Sequence, residues 1–128
     1  MAAVDSNQKQ TEEVFFMQEI TSVEQYVTAI RGDEPVVMLF SADWCPDCRY
    51  LDTFIDEVAE AHQSEYAFYH VDSEQFPELC QTYDVMGIPS FLAYQKGKVV
   101  GRFVNRNRKT RREVEGFLEQ VEANVERA

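Results

Sequence analysis

The chain has 128 residues, 45% hydrophobic and 27% charged. That composition and length fit one globular domain burying roughly 65–70% of the surface its unfolded chain exposes. Lys and Arg total 12 against 23 Asp and Glu, a formal net charge of −11, so phosphate backbones and anionic lipid are repelled and neither nucleic acid nor a membrane surface is expected as partner. Three cysteines are too few for a stapled secreted miniprotein, and an odd count leaves one thiol unpaired. No signal-type segment and no run of ~20 apolar residues occurs, so the expectation is a soluble, cytoplasmic monomer.

Residues 1–13 are polar and predict a mobile tail, leaving one domain over 14–128. Val14–Ile20 reads as a first strand. Thr21 and Glu24 then suggest a capping box for a helix carrying Val23, Tyr26, Val27 and Ile30, with Gly32 as its stop. Val36-Val37-Met38-Leu39-Phe40 is an unbroken apolar run too short for a typical helix. It predicts a central strand covered on both faces. Pro46 to about Ser64 has helical spacing at Leu51, Phe54, Ile55, Val58, Ala59 and His62. Ala67–Val71 is another strand, and Ser73 is placed to cap a short helix around Pro77–Tyr83. Ser90–Gln95 and Lys98–Val104 flank Lys96-Gly97 as an antiparallel hairpin. Thr110 and Glu113 form a capping box before Val114, Phe117, Leu118, Val121 and Val125. The order β-α-β-α-β-α-β-β-α is that of an α/β fold, one central mixed β-sheet with helices on both faces.

Within this order Cys45 and Cys48 fall at the carboxyl end of the central strand and open a helix, the place where open α/β sheets present reactive groups. Three residues apart on a first turn, their sulfurs are within disulfide reach. The free N–H groups and positive dipole end of the helix favour a thiolate at Cys45. Pro46 suits the first helical position, where its missing N–H costs nothing. Asp47 puts a negative charge beside the sulfurs and opposes the dipole, so Pro46 and Asp47 are the expected tuning residues.

Trp44-Cys45-Pro46-Asp47-Cys48, together with Gly87-Ile88-Pro89 before a hairpin, resembles the thioredoxin family over about Val14 to Val125. The resemblance implies the thioredoxin fold and a dithiol–disulfide cycle with Cys45 as nucleophile and Cys48 as resolving thiol. It implies a cis Pro89 and a substrate groove formed by Trp44, Gly87, Ile88 and Pro89, with the Ile88 backbone pairing an extended substrate segment. The implied partners are disulfide-containing proteins or small molecules as substrates, and a thioredoxin reductase or a low-molecular-weight thiol as electron donor. No cofactor and no metal are implied. Pro46-Asp47 stands where the family usually has Gly-Pro between the cysteines, and four further positions depart from its pattern. Leu39 stands where a buried carboxylate is usual, Phe68 is read at its accompanying lysine, Asn105 at a glycine after the last strand, and Thr53 at a mid-helix proline. A WCPDC motif also occurs in a branch with narrower substrate ranges, which predicts poor reduction of bulky protein disulfides.

Other readings stand beside this one. The scaffold could be redox-inactive, a binding module using the groove beside Pro89. Cys45, Cys48, Cys80 and a histidine could bind a metal, but structural zinc usually takes a second close-spaced pair. A Cys–His nucleophile would leave Cys48 without a role. Cys80 reads as a small buried apolar residue, or else as a surface thiol that dimerises or is glutathionylated under oxidation, and His62 and His70 read as an interface residue of the long helix and a strand residue. Arg102, Arg106, Arg108, Lys109, Arg111 and Arg112 gather half of the chain's 12 basic residues. That segment reads as a solvated loop and helix start, or else as a docking surface for an acidic partner.

Overall fold

The computed structural model describes residues 15–127; the tail expected over 1–13 lies outside them. Ten elements follow in order: β1 (Met17–Glu19), α1 (Val23–Ile30), β2 (Val36–Ser41), α2 (Pro46–Asp52), α3 (Ile55–Ala61), β3 (Ala67–Asp72), α4 (Pro77–Thr82), β4 (Ser90–Gln95), β5 (Lys98–Phe103) and α5 (Arg111–Asn124). The five strands form one sheet in the order β1-β3-β2-β4-β5. β2 pairs β3 in parallel and β4 antiparallel, so the sheet is mixed and β2 is its middle strand. Every β2 residue is buried, as expected of a strand covered on both sides.

Alternation along β2 splits its side chains between two cores. Val37 and Leu39 join Phe91, Ala93 and Phe68 beneath Leu51, Ile55, Val58 and the α5 face Val114, Phe117, Leu118 and Val121. Val36, Met38 and Phe40 join Leu92 and Tyr94 against Tyr26 and Ile30 of α1 and Leu79 of α4. Fully burying each such side chain stabilises the fold by about 1.5–3 kcal/mol, so the two cores clamp the sheet from both faces. The hairpin turn at Lys96-Gly97 has φ of 55° and 80°, the left-handed pair that matches the twist of tightly joined strands.

Four expectations need correction. The helix read over residues 46–64 is two helices. Thr53 ends α2 with its N–H and its hydroxyl both on the Tyr50 carbonyl, the hydroxyl at 2.7 Å, and Phe54 takes φ −138° before α3 begins. The first strand spans only Met17–Glu19. Ser22, not Thr21, is the N-cap of α1: its Oγ accepts the Gln25 N–H at 3.1 Å, while Gln25 Oε1 reaches back to the Thr21 N–H at 2.6 Å. The box is thus displaced by one residue and bypasses Glu24. Ser73 caps nothing; its hydroxyl donates to the Ser41 carbonyl at 2.9 Å, tying β3 to the end of β2. The box at Thr110 and Glu113 is present in both directions.

Candidate active site

β2 ends at Ser41, and the chain reaches α2 through Ala42, Asp43 and Trp44. Cys45 is the N-cap of α2, with Pro46 in the first turn, and its Sγ accepts the Cys48 N–H at 3.3 Å. Both thiols are free; Cys45 is 6% exposed and Cys48 1%. Burial pushes the Cys48 thiol up to about 12, helped by its hydrogen bond to Cys45 and by the nearby Cys45 and Asp52 charges, while a backbone hydrogen bond at Ala42 opposes. The two sulfurs therefore differ in kind. One sits at a helix N-terminus accepting an N–H, and the other is buried behind it, where its thiol form is favoured.

The charge expected beside the sulfurs is compensated. Asp47 Oδ1 accepts from Arg108 Nε at 3.0 Å, and the Arg108 guanidinium lies 4.3 Å from the Tyr50 ring centroid. Trp44 is 64% exposed, its indole N–H donating to Glu74 at 2.7 Å.

Ser90 pairs with Phe40 in the β2/β4 register, which brings Gly87-Ile88-Pro89 to the same end of the sheet as Cys45. The Ile88–Pro89 bond is cis. Gly87 is held by contact with the loop after β5: a Cβ there would lie 2.8 Å from the Asn105 carbonyl oxygen, and Ser90 Oγ donates to both the Gly87 and Asn105 carbonyls. Met86, just before this turn, is 75% exposed.

A polar chain runs on the α2 face of the sheet. Ser41 Oγ and His70 Nε2 are 2.6 Å apart, and His70 Nδ1 lies 2.8 Å from Glu19. Leu39 is registered with His70, whereas Phe68 pairs with Val37. The polar residue beside Leu39 in the register is therefore His70. Partial desolvation raises the Asp52 carboxyl above its ordinary range, with His70 opposing.

The basic segment is not uniformly solvated. Arg102 donates to the Tyr83 and Asp84 carbonyls, Arg108 to Asp47, and Arg111 to Glu57, so much of its charge is spent inside the chain. Lys109 is buried. Among the described residues no group of three or more His, Cys, Asp or Glu side chains is placed to hold a metal ion. Cys80 is only partly buried, against the core under α1 and α4. The sequence reading passed over Met86, and it did not foresee the burial of Lys109, the Ser41–His70 contact or the Asp47–Arg108 pair. For Lys109 the one visible signal was Asn105, which accepts from its ammonium, in place of a glycine.

The chain matches the family model described as Thioredoxin over residues 17–120. It belongs to the thioredoxin family. Among curated thioredoxins, mitochondrial thioredoxin-2 of Schizosaccharomyces pombe is 32% identical over 71% of this chain and 68% of its own length. Thioredoxin-2 of Saccharomyces cerevisiae is 33% identical over 70% of this chain and 86% of its own. The crystal structure of thioredoxin from Trypanosoma brucei brucei superposes with a TM-score of 0.70 at 23% identity, covering 84% of this chain and 88% of that one. The thioredoxin fold and thiol–disulfide oxidoreductase function follow, and a groove-only binding module is not favoured.

Proposed function

We propose that Cys45 is the nucleophile and Cys48 the resolving thiol in the reduction of disulfide-containing proteins or small molecules. The observation that carries this is the Cys48 N–H donated to Cys45 Sγ at 3.3 Å from the first turn of α2, a donor aimed where thiolate charge resides. Cys45 attacks one sulfur of the target, forming a mixed disulfide and expelling the other target sulfur as a thiolate that takes up a proton. Cys48 then gives up its proton and attacks Cys45 Sγ, releasing the second target thiol. The target gains two electrons and two protons, and Cys45–Cys48 becomes a disulfide. A thioredoxin reductase or a low-molecular-weight thiol returns it to the dithiol.

Trp44, Gly87, Ile88 and Pro89 form the substrate groove, with exposed Met86 extending it. Pro46 sets the helix start, and Asp47, neutralised by Arg108, tunes the pair. Residues 14–128 act as one domain, monomeric and in a reducing cytoplasmic compartment. The WCPDC motif supports a narrow substrate range, so insulin is reduced more slowly than by an ordinary thioredoxin.

Cys45→Ser abolishes reduction of a small aromatic disulfide. Cys48→Ser retains the first attack and accumulates mixed disulfides that dithiothreitol releases. Full turnover by either variant, or mixed disulfides carried on Cys80, rejects the assignment.

A further inference from the structure

Lys109 is the only charged side chain among the described residues that is buried, at 1% exposure. Lysine is almost never fully buried unless paired. Here the ammonium donates to Asn105 Oδ1 at 2.9 Å and to the Asn107 carbonyl at 2.8 Å, and lies 4.9 Å from the Phe103 ring centroid. All three partners are neutral. No ion pair with a carboxylate forms at Lys109 among the described residues. Burial pushes its pKa down, and the negative groups near enough to oppose that are Glu113, Cys48, Asp47 and Cys45.

Two of those four are already engaged. Asp47 pairs with Arg108, and the Glu113 carboxylate accepts the Thr110 N–H and hydroxyl in the α5 capping box. The remaining two are the cysteines, and of these Cys45, at the N-terminus of α2 and accepting an N–H, is the one placed to carry negative charge. The cradle is also fastened to the site on both sides. The Asn105 carbonyl bonds Ser90 and abuts Gly87, and Arg108, next to Lys109, grips Asp47 in the first turn of α2. An apolar residue would fill the same slot without the cost of desolvating a charge, so packing alone does not account for the ammonium.

We propose that Lys109 is a positioning residue for thiol–disulfide exchange, a fixed buried cation whose field stabilises thiolate in the Cys45/Cys48 pair and so sets its reactivity and reduction potential. The inference rests on the dithiol assignment above. The other charges around the pair are Asp52 on α2, which bears on Cys48, with His70 on β3, Asp43 from the loop after β2 and Arg49 around Asp52, Asp47 paired with Arg108, and Glu113 on α5 near Lys109.

Lys109→Met keeps the length of the stem and removes the charge. Its pH profile of Cys45 alkylation by iodoacetamide, read on the Cys45 peptide by mass spectrometry, shifts up by about one pH unit. Alkylation below the midpoint is then about tenfold slower. At a pH above both midpoints, equilibrium with glutathione moves about tenfold toward the disulfide, or ~30 mV more reducing. A merely structural role lowers the melting temperature and leaves the profile in place. The unaltered protein supplies a second reading, because coupling between two charges is reciprocal: the Lys109 Nζ resonance titrates at higher pH in the dithiol form than in the disulfide form. An unshifted alkylation profile in folded Lys109→Met, or identical Lys109 titration in the two redox forms, overturns the proposal. Failure of the dithiol assignment is read separately, as alkylation and turnover that survive Cys45→Ser.

Discussion

Cys45 and Cys48 occupy the same helical turn yet meet different surroundings, and that difference is measurable in the reduced protein. Cys48 is 1% exposed and its thiol is pushed up to about 12 by burial; burial raises Cys80 as well. Brief iodoacetamide treatment near pH 7.5 therefore labels Cys45 well before Cys48, because so little of the buried Cys48 is thiolate. Peptide mass spectrometry checks this, and equal labelling of both cysteines contradicts the asymmetry. The cysteines themselves were legible, because a CxxC after an apolar run and before helical spacing is a local pattern. Lys109 was not. Nothing in its neighbours distinguishes it from the exposed arginines on either side, and its burial follows from where the loop after β5 lands on Gly87. The Asp47–Arg108 pair joins residues 61 apart, a proximity only the folded sheet creates.

Helix starts show how far local signals reach. Thr110 and Glu113 stand three apart immediately before an apolar face, and the reciprocal bonds form as read. Thr110→Ala removes the side-chain acceptor and destabilises the fold by about 1 kcal/mol, measured as a lower denaturant midpoint at unchanged slope. At α1 two hydroxyls and two long acceptors lie side by side, and local pattern alone does not choose between them. The structure uses Ser22 and Gln25, so Ser22→Ala carries a similar cost and Glu24→Ala almost none. A larger loss at Glu24 would contradict the observed cap. The break at Thr53–Phe54 was hidden because Leu51, Ile55, Val58 and Ala59 keep helical spacing across it and all are buried in one core. Periodicity reports which face is apolar and is blind to a single turn where the Thr53 hydroxyl takes the Tyr50 carbonyl.

The whole molecule is a sheet held between two helical layers under an acidic surface, and its response to acid reflects particular carboxylates. The Glu122 carboxyl is held down to about 2 by the Arg127 guanidinium and then by the Tyr66 hydroxyl; Arg127 also lies 5.5 Å from the Tyr66 ring centroid. A carboxyl depressed in the folded state contributes stability that is complete above its ordinary value of 4.5 and is lost as pH falls toward about 2. Denaturant midpoints therefore decline across that window, and Glu122→Gln flattens the decline while leaving its lower end unchanged. The effect is modest because solvent screens an exposed pair, and an identical pH slope in the variant contradicts it. Trp44 is the chain's one tryptophan, it adjoins Cys45, and it is already 64% exposed. Intrinsic indole emission is consequently a local optical gauge of sulfur oxidation that is nearly silent during global melting. Fluorescence and circular dichroism followed in parallel on this protein thus record two separate events, redox turnover and loss of fold.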